Sequence, residues 1–543
     1  MWKPFHLWVI ILLLYSQQQA FATVTTTTVW EIRQDAGDAN NGACFDGSVA
    51  VPGTDYSQQA SSQYNGTDLV IDGVDNTIVT SATHNFVAAD EGNCIRISAG
   101  TGFTVGWYII TDTATNAATL SSAVGTVGST GGTYRVGGAG LLNSTNADDI
   151  FEALIGGNKV WIKNNGTALT LGEAISIAAT SCDADSPCFI EGYQTTRGDA
   201  PAFANAPMID AAANNTTFGQ YQMFRNLVYT STTASGWAIG TNSVVDNVKA
   251  TNTSTAASRV ALTLNSAAMV LFSEFVSQNG TAVNSGSGSQ SQVIGSYIHD
   301  SDIGIRLNSA SSLIGNVIEA NRTQGFNLTN LGGLLAYGNT FYGREAQIST
   351  CLDLNNAASI NNKIFNNIFY GCTLGIDVDT AEQKSNVGNY NNFFNNGTDV
   401  ARYTKGANAL AVNPQFGGAT QITGTTATTV GSVLTQSGGD FSTVTDNVDY
   451  LHVLSGTGVT TGGYLITSHD ATTLTVNNAL GTSSAGDVTY FVTTGHNFSV
   501  GTNLKATSAP ATFGSETNNY LDTGAVQRQE PASSSGGSFP FVQ

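Results

Sequence analysis

Positive charge is what this chain has least of: 19 Lys and Arg stand against 39 Asp and Glu, for a formal net charge of −20. Nucleic acid and anionic membranes both require clustered Lys and Arg, so neither is an expected partner. Charged residues of either sign make up only 11% of the chain, and 9 prolines against 60 glycines favour turns over rigid linkers. The apolar run Leu7–Tyr15 is too short to cross a bilayer, which argues against membrane insertion. It follows Lys3 and precedes Ala20-Phe21-Ala22, a small-x-small cleavage site, so residues 1–22 read as a signal peptide and the mature chain as a secreted, soluble protein beginning near Thr23. No Cys follows the expected cut, so a lipid anchor is not supported. The sequence also lacks a serine-nucleophile elbow, a phosphate loop, a His-Glu-x-x-His motif and an EF-hand loop, which argues against redox and nucleotide chemistry.

Six cysteines remain for an oxidising compartment. Cys182 and Cys188 close a short loop and form the best disulfide candidate, a bond contributing about 2 kcal/mol in the chain-entropy model. A zinc site on the same two residues is the alternative, disfavoured because no His lies nearby. Cys44 with Cys94 and Cys351 with Cys372 are pairings by arithmetic alone.

What the chain does have is a recurring pentad: apolar, any, Asn or a substitute, any, apolar. Its centres fall at Asn226, Asn247, Glu274, Ser296, Asn316, Asn339, Asn367 and Asn392, in steps of 21, 27, 22, 20, 23, 28 and 25 residues. Periods of this size mean a solenoid. The units are short β-type runs divided by Gly, Asn, Ser and Thr, so each unit is one coil of a β-helix. A second alternating run follows several centres, as in Gly304-Ile305-Arg306-Leu307, Gly325-Phe326-Asn327-Leu328 and Gly375-Ile376-Asp377-Val378. Alternation turns Ile305 and Leu307 inward and Arg306 outward. The repeated Asn reads as a buried ladder rather than a reaction centre, because repetition over many coils serves a fold.

A second repeat relates Asp90–Val136 to Asp446–Val492 without gaps. Gly100-Thr101-Gly102 matches Gly456-Thr457-Gly458, Tyr108-Ile109-Ile110 matches Tyr464-Leu465-Ile466, and Tyr134 matches Tyr490. Each copy should be a small all-β module that braces the solenoid or serves glycan binding or oligomerisation. The expected organisation is a leader (1–22), an entry segment (23–89), module copy 1 (90–138), β-helix entry and cap (139–222), coils (223–418), module copy 2 as an insertion (440–493), a terminal β-helix segment (494–530) and a disordered tail (531–543).

The unit Ser312-Leu313-Ile314-Gly315-Asn316-Val317-Ile318-Glu319-Ala320-Asn321, followed by Gly325-Phe326-Asn327-Leu328, resembles the repeat of right-handed parallel β-helix proteins of the pectin-lyase-like superfamily. Asn413-Pro414-Gln415-Phe416 and Asp522-Thr523-Gly524-Ala525 are similar to terminal signatures of its secreted members. Segments Val29–Arg33, Asp55–Gln59, Ile190–Tyr193 and Thr196–Asp199 resemble uncharacterised β-helix proteins of environmental bacteria and phages. The resemblance implies an all-β solenoid, and it leaves activity open because the superfamily spans lyases, hydrolases, tailspikes, adhesins and inert scaffolds. The ordered polygalacturonase set (Asn-Thr-Asp, an Asp pair, Gly-His-Gly, Arg-Ile-Lys) is missing. In Val160-Trp161-Ile162-Lys163-Asn164, Lys163 and Asn164 replace the Asp and His of the corresponding pectate-lyase strand.

A site must then come from geometry. Aligned coils place Arg306, Asn327, Asp353 and Asp377 in one outward column, and Asn308, Thr329, Asn355 and Asp379 in a parallel one. Coils stack about 4.8 Å apart. Carboxylates at that spacing repel by roughly 3 kcal/mol at an effective dielectric of 20. The repulsion makes an acid beside a base, or is relieved by calcium. In a hydrolase reading Asp353 and Asp377 are the acid and the base or nucleophile, and Arg306 binds substrate beside Asn308, Asn327, Thr329, Asn355 and Asp379. In a lyase reading calcium on Asp377 and Asp379 acidifies a uronate proton that Arg306 removes. A polyanionic glycan would be repelled by the net charge unless calcium bridged the two. The bland reading is a solvated polar face. His299-Asp300-Ser301-Asp302 forms a second cluster, at a turn where Asp and Ser are favoured anyway. The expected function is binding, with or without cleavage, of an extracellular or cell-surface polysaccharide; the rival is a non-catalytic structural or adhesive surface-fibre or virion component.

Overall fold

A computed structural model describes residues 24–518, apart from 37, 142–148, 177–181, 233–235, 255–258, 286–289, 320–322, 330–331, 344–348, 355–359, 379–385, 412–413, 415–419, 447, 460–461, 478, 494–510 and 514–515. The leader, the tail, Asn497–Ser499 and Asp522–Gln527 lie outside the described residues. The chain forms two compact units, residues 1–229 and 230–543.

In the second unit each coil contributes three short strands, and every coil-to-coil pairing is parallel. The first face runs from Val244–Asp246 through Met269–Leu271, Gln292–Ile294, Ser312–Ile314, Leu335–Tyr337 and Lys363–Phe365 to Val387–Asn389. The second runs from Lys249–Asn252 through Glu274–Ser277, Tyr297–His299, Val317–Glu319, Thr340–Tyr342 and Ile368–Tyr370 to Asn392–Phe394. The third runs from Trp237–Ile239 through Arg259–Leu264, Gly280–Ser285, Ile303–Leu307, Gln324–Leu328, Thr350–Leu354 and Leu374–Val378 to Thr398–Ala401. This is the right-handed parallel β-helix expected from the repeat.

Alternation decides what lies inside. Phe275, Ile298, Ile318, Phe341, Phe369 and Phe393 pair in register down the second face, all buried. The rings of Phe341, Phe369 and Phe393 stack with centroids 5.0 and 5.1 Å apart.

Between the first and second faces the chain turns through a residue with positive φ: Asn247, Phe272, Gly295, Gly315, Gly338, Asn366 and Tyr390. From Phe272 onward the next residue forms the ladder, running Ser273, Ser296, Asn316, Asn339, Asn367 and Asn391. The Asn339 carboxamide oxygen accepts from the Asn316 backbone N–H and side-chain amide, both at 3.0 Å, and Asn367 does the same for Asn339 at 2.9 Å. Asn391 continues the series beneath Asn367, and the Ser296 and Ser273 hydroxyls continue it at the other end. Four pentad centres therefore need correction. Asn391 and Ser273, not Asn392 and Glu274, are the ladder residues, while Asn226 and Asn247 have left-handed backbones. At Asn391-Asn392 frames one residue apart look equivalent in the sequence, and only strand register separates them. Asn339→Leu removes the acceptor for two buried donors and is expected to cost about 2 kcal/mol, read as a lowered denaturation midpoint. A second ladder, Asn362 on Asn386, braces the start of the first face.

Each unit carries a closed antiparallel six-strand barrel, and the strand order is the same in both. The first is built from Tyr64–Ile71, Ile78–Thr80, Ala117–Leu120, Gly106–Ala114, Cys94–Ala99 and Thr130–Val136; the second from Thr420–Val430, Val433–Thr435, Thr473–Val476, Gly462–His469, Tyr450–Ser455 and Ser483–Thr493. The boundaries expected at 90 and 440 fall inside these sheets, because the first two strands of each barrel precede them. A shared detail links the diverged strands: Gly66 and Gly424 lie against the rings of Tyr134 and Tyr490, where an added Cβ would come within 2.8 and 2.3 Å of ring carbon. The closeness of backbone to ring fixes glycine there while the flanking residues change.

In the first unit, Val29–Arg33, Lys159–Lys163, Cys188–Tyr193 and residues 222–225 pair in parallel. Glu31 points outward from these strands yet is fully buried. Arg197 covers it, giving Nε to Glu31 at 2.8 Å, Nη1 to Asp55 at 3.0 Å and Nη2 to the Ser57 hydroxyl at 3.0 Å, while the Tyr193 hydroxyl donates to the other Glu31 oxygen. Asp199 accepts from the backbone N–H groups of Gln194, Thr195 and Thr196, holding the turn that presents Arg197. The four segments singled out by resemblance thus meet around the Glu31–Arg197 pair. Burial raises the Glu31 pKa, against the lowering effect of Arg197 and Tyr193. Three disulfides, Cys44–Cys94, Cys182–Cys188 and Cys351–Cys372, pair all six cysteines. They place the chain in an oxidising compartment and exclude zinc on Cys182 and Cys188.

Candidate functional site on the third face

The third face holds its polar column because alternate residues alone reach the core. Ile305, Leu307, Phe326, Leu328, Leu352, Leu354, Ile376 and Val378 are buried, which leaves the residues between them pointing out. Register pairs Asn284 with Arg306, Arg306 with Asn327, Asn327 with Asp353, Asp353 with Asp377, and Asp377 with Ala401. The two carboxylates therefore sit on directly paired residues of neighbouring strands. The Asp353 Oδ2 accepts from the Asn327 amide at 3.2 Å and from Gln324. Arg402 forms an ion pair with Asp377 through Nη2 and anchors its own Nε on the Val378 carbonyl at 2.6 Å. Burial raises the Asp377 pKa; Arg402 opposes the rise and the charge of Asp353 adds to it.

Arg306 belongs to the column but stands two strands from Asp353, with its Nε buried and without a hydrogen-bond partner. The cation on the pair is Arg402, which the sequence reading missed. It follows Ala401, the small residue at the next position of the column, and has φ of 55°. The clue was the shortened Thr398-Asp399-Val400-Ala401 run aligned under Leu374–Asp377. In the parallel column, Asn308 is buried and its side-chain oxygen accepts from the Thr329 hydroxyl at 2.6 Å. Asn355 and Asp379 lie outside the described residues. Among the described residues no group of three or more His, Cys, Asp and Glu could hold a metal ion.

The His299 cluster lies on the second face and resolves into a clamp. Its imidazole Nδ1 meets Asp300 at 2.8 Å and Nε2 meets Glu274 at 3.3 Å, Lys249 pairs with Glu274 at 2.6 Å, and the ring stacks on Tyr297 at 4.2 Å. Burial works to lower the His299 pKa, but hydrogen bonds and charge from Asp300 and Glu274 prevail and push it up to about 9. An imidazolium held this way is not a free base at neutral pH. No described helix is long and apolar enough to cross a membrane.

No family model matches the chain, and no curated protein matches it. Among solved structures it is similar to the pectate lyase Pel9A, at 14% identity and a TM-score of 0.31 over 49% of this chain and 75% of that one. It is also similar to the tailspike protein of Acinetobacter phage vB_ApiP_P1, at 14% identity and a TM-score of 0.23 over 63% and 79% of the two chains. The catalytic domain of a GH87 alpha-1,3-glucanase aligns at 10% identity and a TM-score of 0.25 over 65% and 84%. Likenesses this weak carry no argument about activity; the parallel β-helix stands on the strand pairing itself.

Proposed function

We propose that this is an exported β-helix protein, directed by its Met1–Ala22 leader, that binds an extracellular or cell-surface polysaccharide along the third face and cleaves it at Asp353 and Asp377. The observation that carries the reading is the direct pairing of these residues on adjacent strands, with the Asp377 carboxyl held above its ordinary pKa by burial and by the charge of Asp353. Adjacent parallel strands lie about 4.8 Å apart, near the roughly 5 to 5.5 Å separation used by retaining glycosidases. In this mechanism Asp377 in its acid form donates to the glycosidic oxygen as that oxygen's bond to the anomeric carbon breaks, and an Asp353 oxygen attacks the anomeric carbon. Deprotonated Asp377 then activates the water that releases the sugar. Arg402 holds the Asp377 oxygen in place. The net charge of −20 favours a neutral glycan over a polyanion.

A non-catalytic scaffold is the second reading, favoured by one observation: both carboxylates already have side-chain partners, Gln324 and Asn327 on one and Arg402 on the other. A glycan array of the mature protein, followed by a reducing-end assay on whatever binds, separates the two. Asp377→Asn is expected to lower turnover at least 1,000-fold while shifting stability by no more than about 1 kcal/mol, since the ion pair with Arg402 is partly exposed and contributes little. Wild-type turnover should fall as pH rises through the raised pKa of Asp377, because the acid form is the donor. Binding without release of sugar ends leaves the scaffold reading.

A further inference from the structure

The first face differs from the other two in what it turns outward. Register assembles the outward residues of its strands into two columns. One runs Leu271, Ile294, Ile314, Tyr337, Phe365 and Asn389, the other Met269, Gln292, Ser312, Leu335, Lys363 and Val387. The turn beside the first column adds Phe272 and Tyr390, 52% and 56% exposed, and Tyr337 and Val387 are 37% and 51% exposed. From Met269 to Asn389 these two columns contain no carboxylate and Lys363 is their one charge, in a chain with 39 acidic residues; the column meets its one carboxylate at Asp246, paired with Leu271 on the preceding strand. By contrast the outward positions of the second face include Glu274 and Glu319, and those of the third include Asp353 and Asp377.

We infer that this stretch of the first face, free of carboxylates from Met269 to Asn389, is where a second copy of the chain docks side by side. Two arguments select that occupant. Another −20 chain can approach only where acidic groups are missing, and a contact free of carboxylates meets that condition on both partners at once. The ridges repeat at the coil spacing of about 4.8 Å, and a second solenoid of the same chain carries the same repeat, so side chains interdigitate over the whole length. The extent sets the strength. Six strands at about 4.8 Å by a width of roughly 14 Å give a footprint of about 400 Å², about half of the ~800 Å² per partner of a standard interface, so the pair is weak and concentration-dependent.

Sedimentation velocity on the full mature chain, from about 1 to 200 μM, tests this. The expected result is a monomer at the low end and a growing dimer fraction at the high end. Added NaCl should increase that fraction, because screening weakens repulsion between the acidic chains. Ile294→Glu with Ile314→Glu should abolish the dimer, and Ile294→Lys with Ile314→Lys should do so too, since either charge would be buried unpaired. Thr263→Glu, an equal kind of change on the third face, should leave association intact. Unchanged circular dichroism and melting temperature show that each variant is folded. A wild type that stays monomeric at 200 μM in high salt overturns the inference, as does a dimer that survives both double substitutions.

Discussion

Arg197→Ala is expected to destabilise the first unit by about 3 to 5 kcal/mol, because it leaves Glu31 buried without its counter-charge. The cost arises from the group left behind. Glu31 is fully buried, and Arg197 is its ion-pair partner and also its link to Asp55 and Ser57. Urea unfolding followed by tryptophan fluorescence reads this, since Trp30, Trp107 and Trp161 all lie in the first unit. The pH dependence identifies the cause. A carboxyl whose folded pKa is raised binds more protons in the native state than in the unfolded state. Stability therefore falls as pH rises from the unfolded value near 4.5 through the folded one. Removing Arg197 takes away a lowering influence and widens that window. The deficit of the variant relative to wild type should thus shrink as pH is lowered from neutral through the raised pKa of Glu31, where that carboxyl takes up a proton. A deficit independent of pH would mean that lost packing, not the stranded carboxylate, accounts for the effect.

Phe369→Ala is expected to cost about 3 to 5 kcal/mol in the second unit, through lost burial and the cavity left between Phe341 and Phe393. The two remaining rings belong to coils fixed by the asparagine ladder and by parallel pairing, so neither can collapse into the gap. Phe369→Leu should recover more than half of the loss. Tyr370→Ala, one residue on and outward, removes a comparable ring and should cost about 1 kcal/mol or less. Equal losses at 369 and 370 in chemical denaturation would contradict the inward assignment of the column.

Much of this was legible in the chain. The pentad and the second run are local patterns of period two set off by turn residues, and they gave the solenoid, the inward phenylalanine column and the outward placement of Arg306, Asn327, Asp353 and Asp377. The ladder was legible as a feature but not to the residue. In Asn389-Tyr390-Asn391-Asn392 several asparagines compete for the position, and hydrogen bonding to Asn367 selects Asn391. The module duplication was visible from Asp90, where the outer and inner residues of the strands are both kept. It was invisible from Tyr64 to Thr80, where the strands keep little beyond the glycine against the tyrosine ring and the alternation of buried positions.

The sequence by itself determined the class of fold, the repeat, the duplication and the two carboxylates in one column, because each is encoded by spacing along the chain or by identity between copies. Tertiary structure alone decided that Arg402 rather than Arg306 meets Asp377, that His299 is locked between Glu274 and Asp300, and that Glu31, Asp55, Ser57, Tyr193 and Arg197 converge. Those contacts join residues separated by anything from one turn of backbone to 166 positions. Their geometry depends on a positive φ, a small neighbour or the burial of a charge, none of which leaves a periodic mark in a linear sequence.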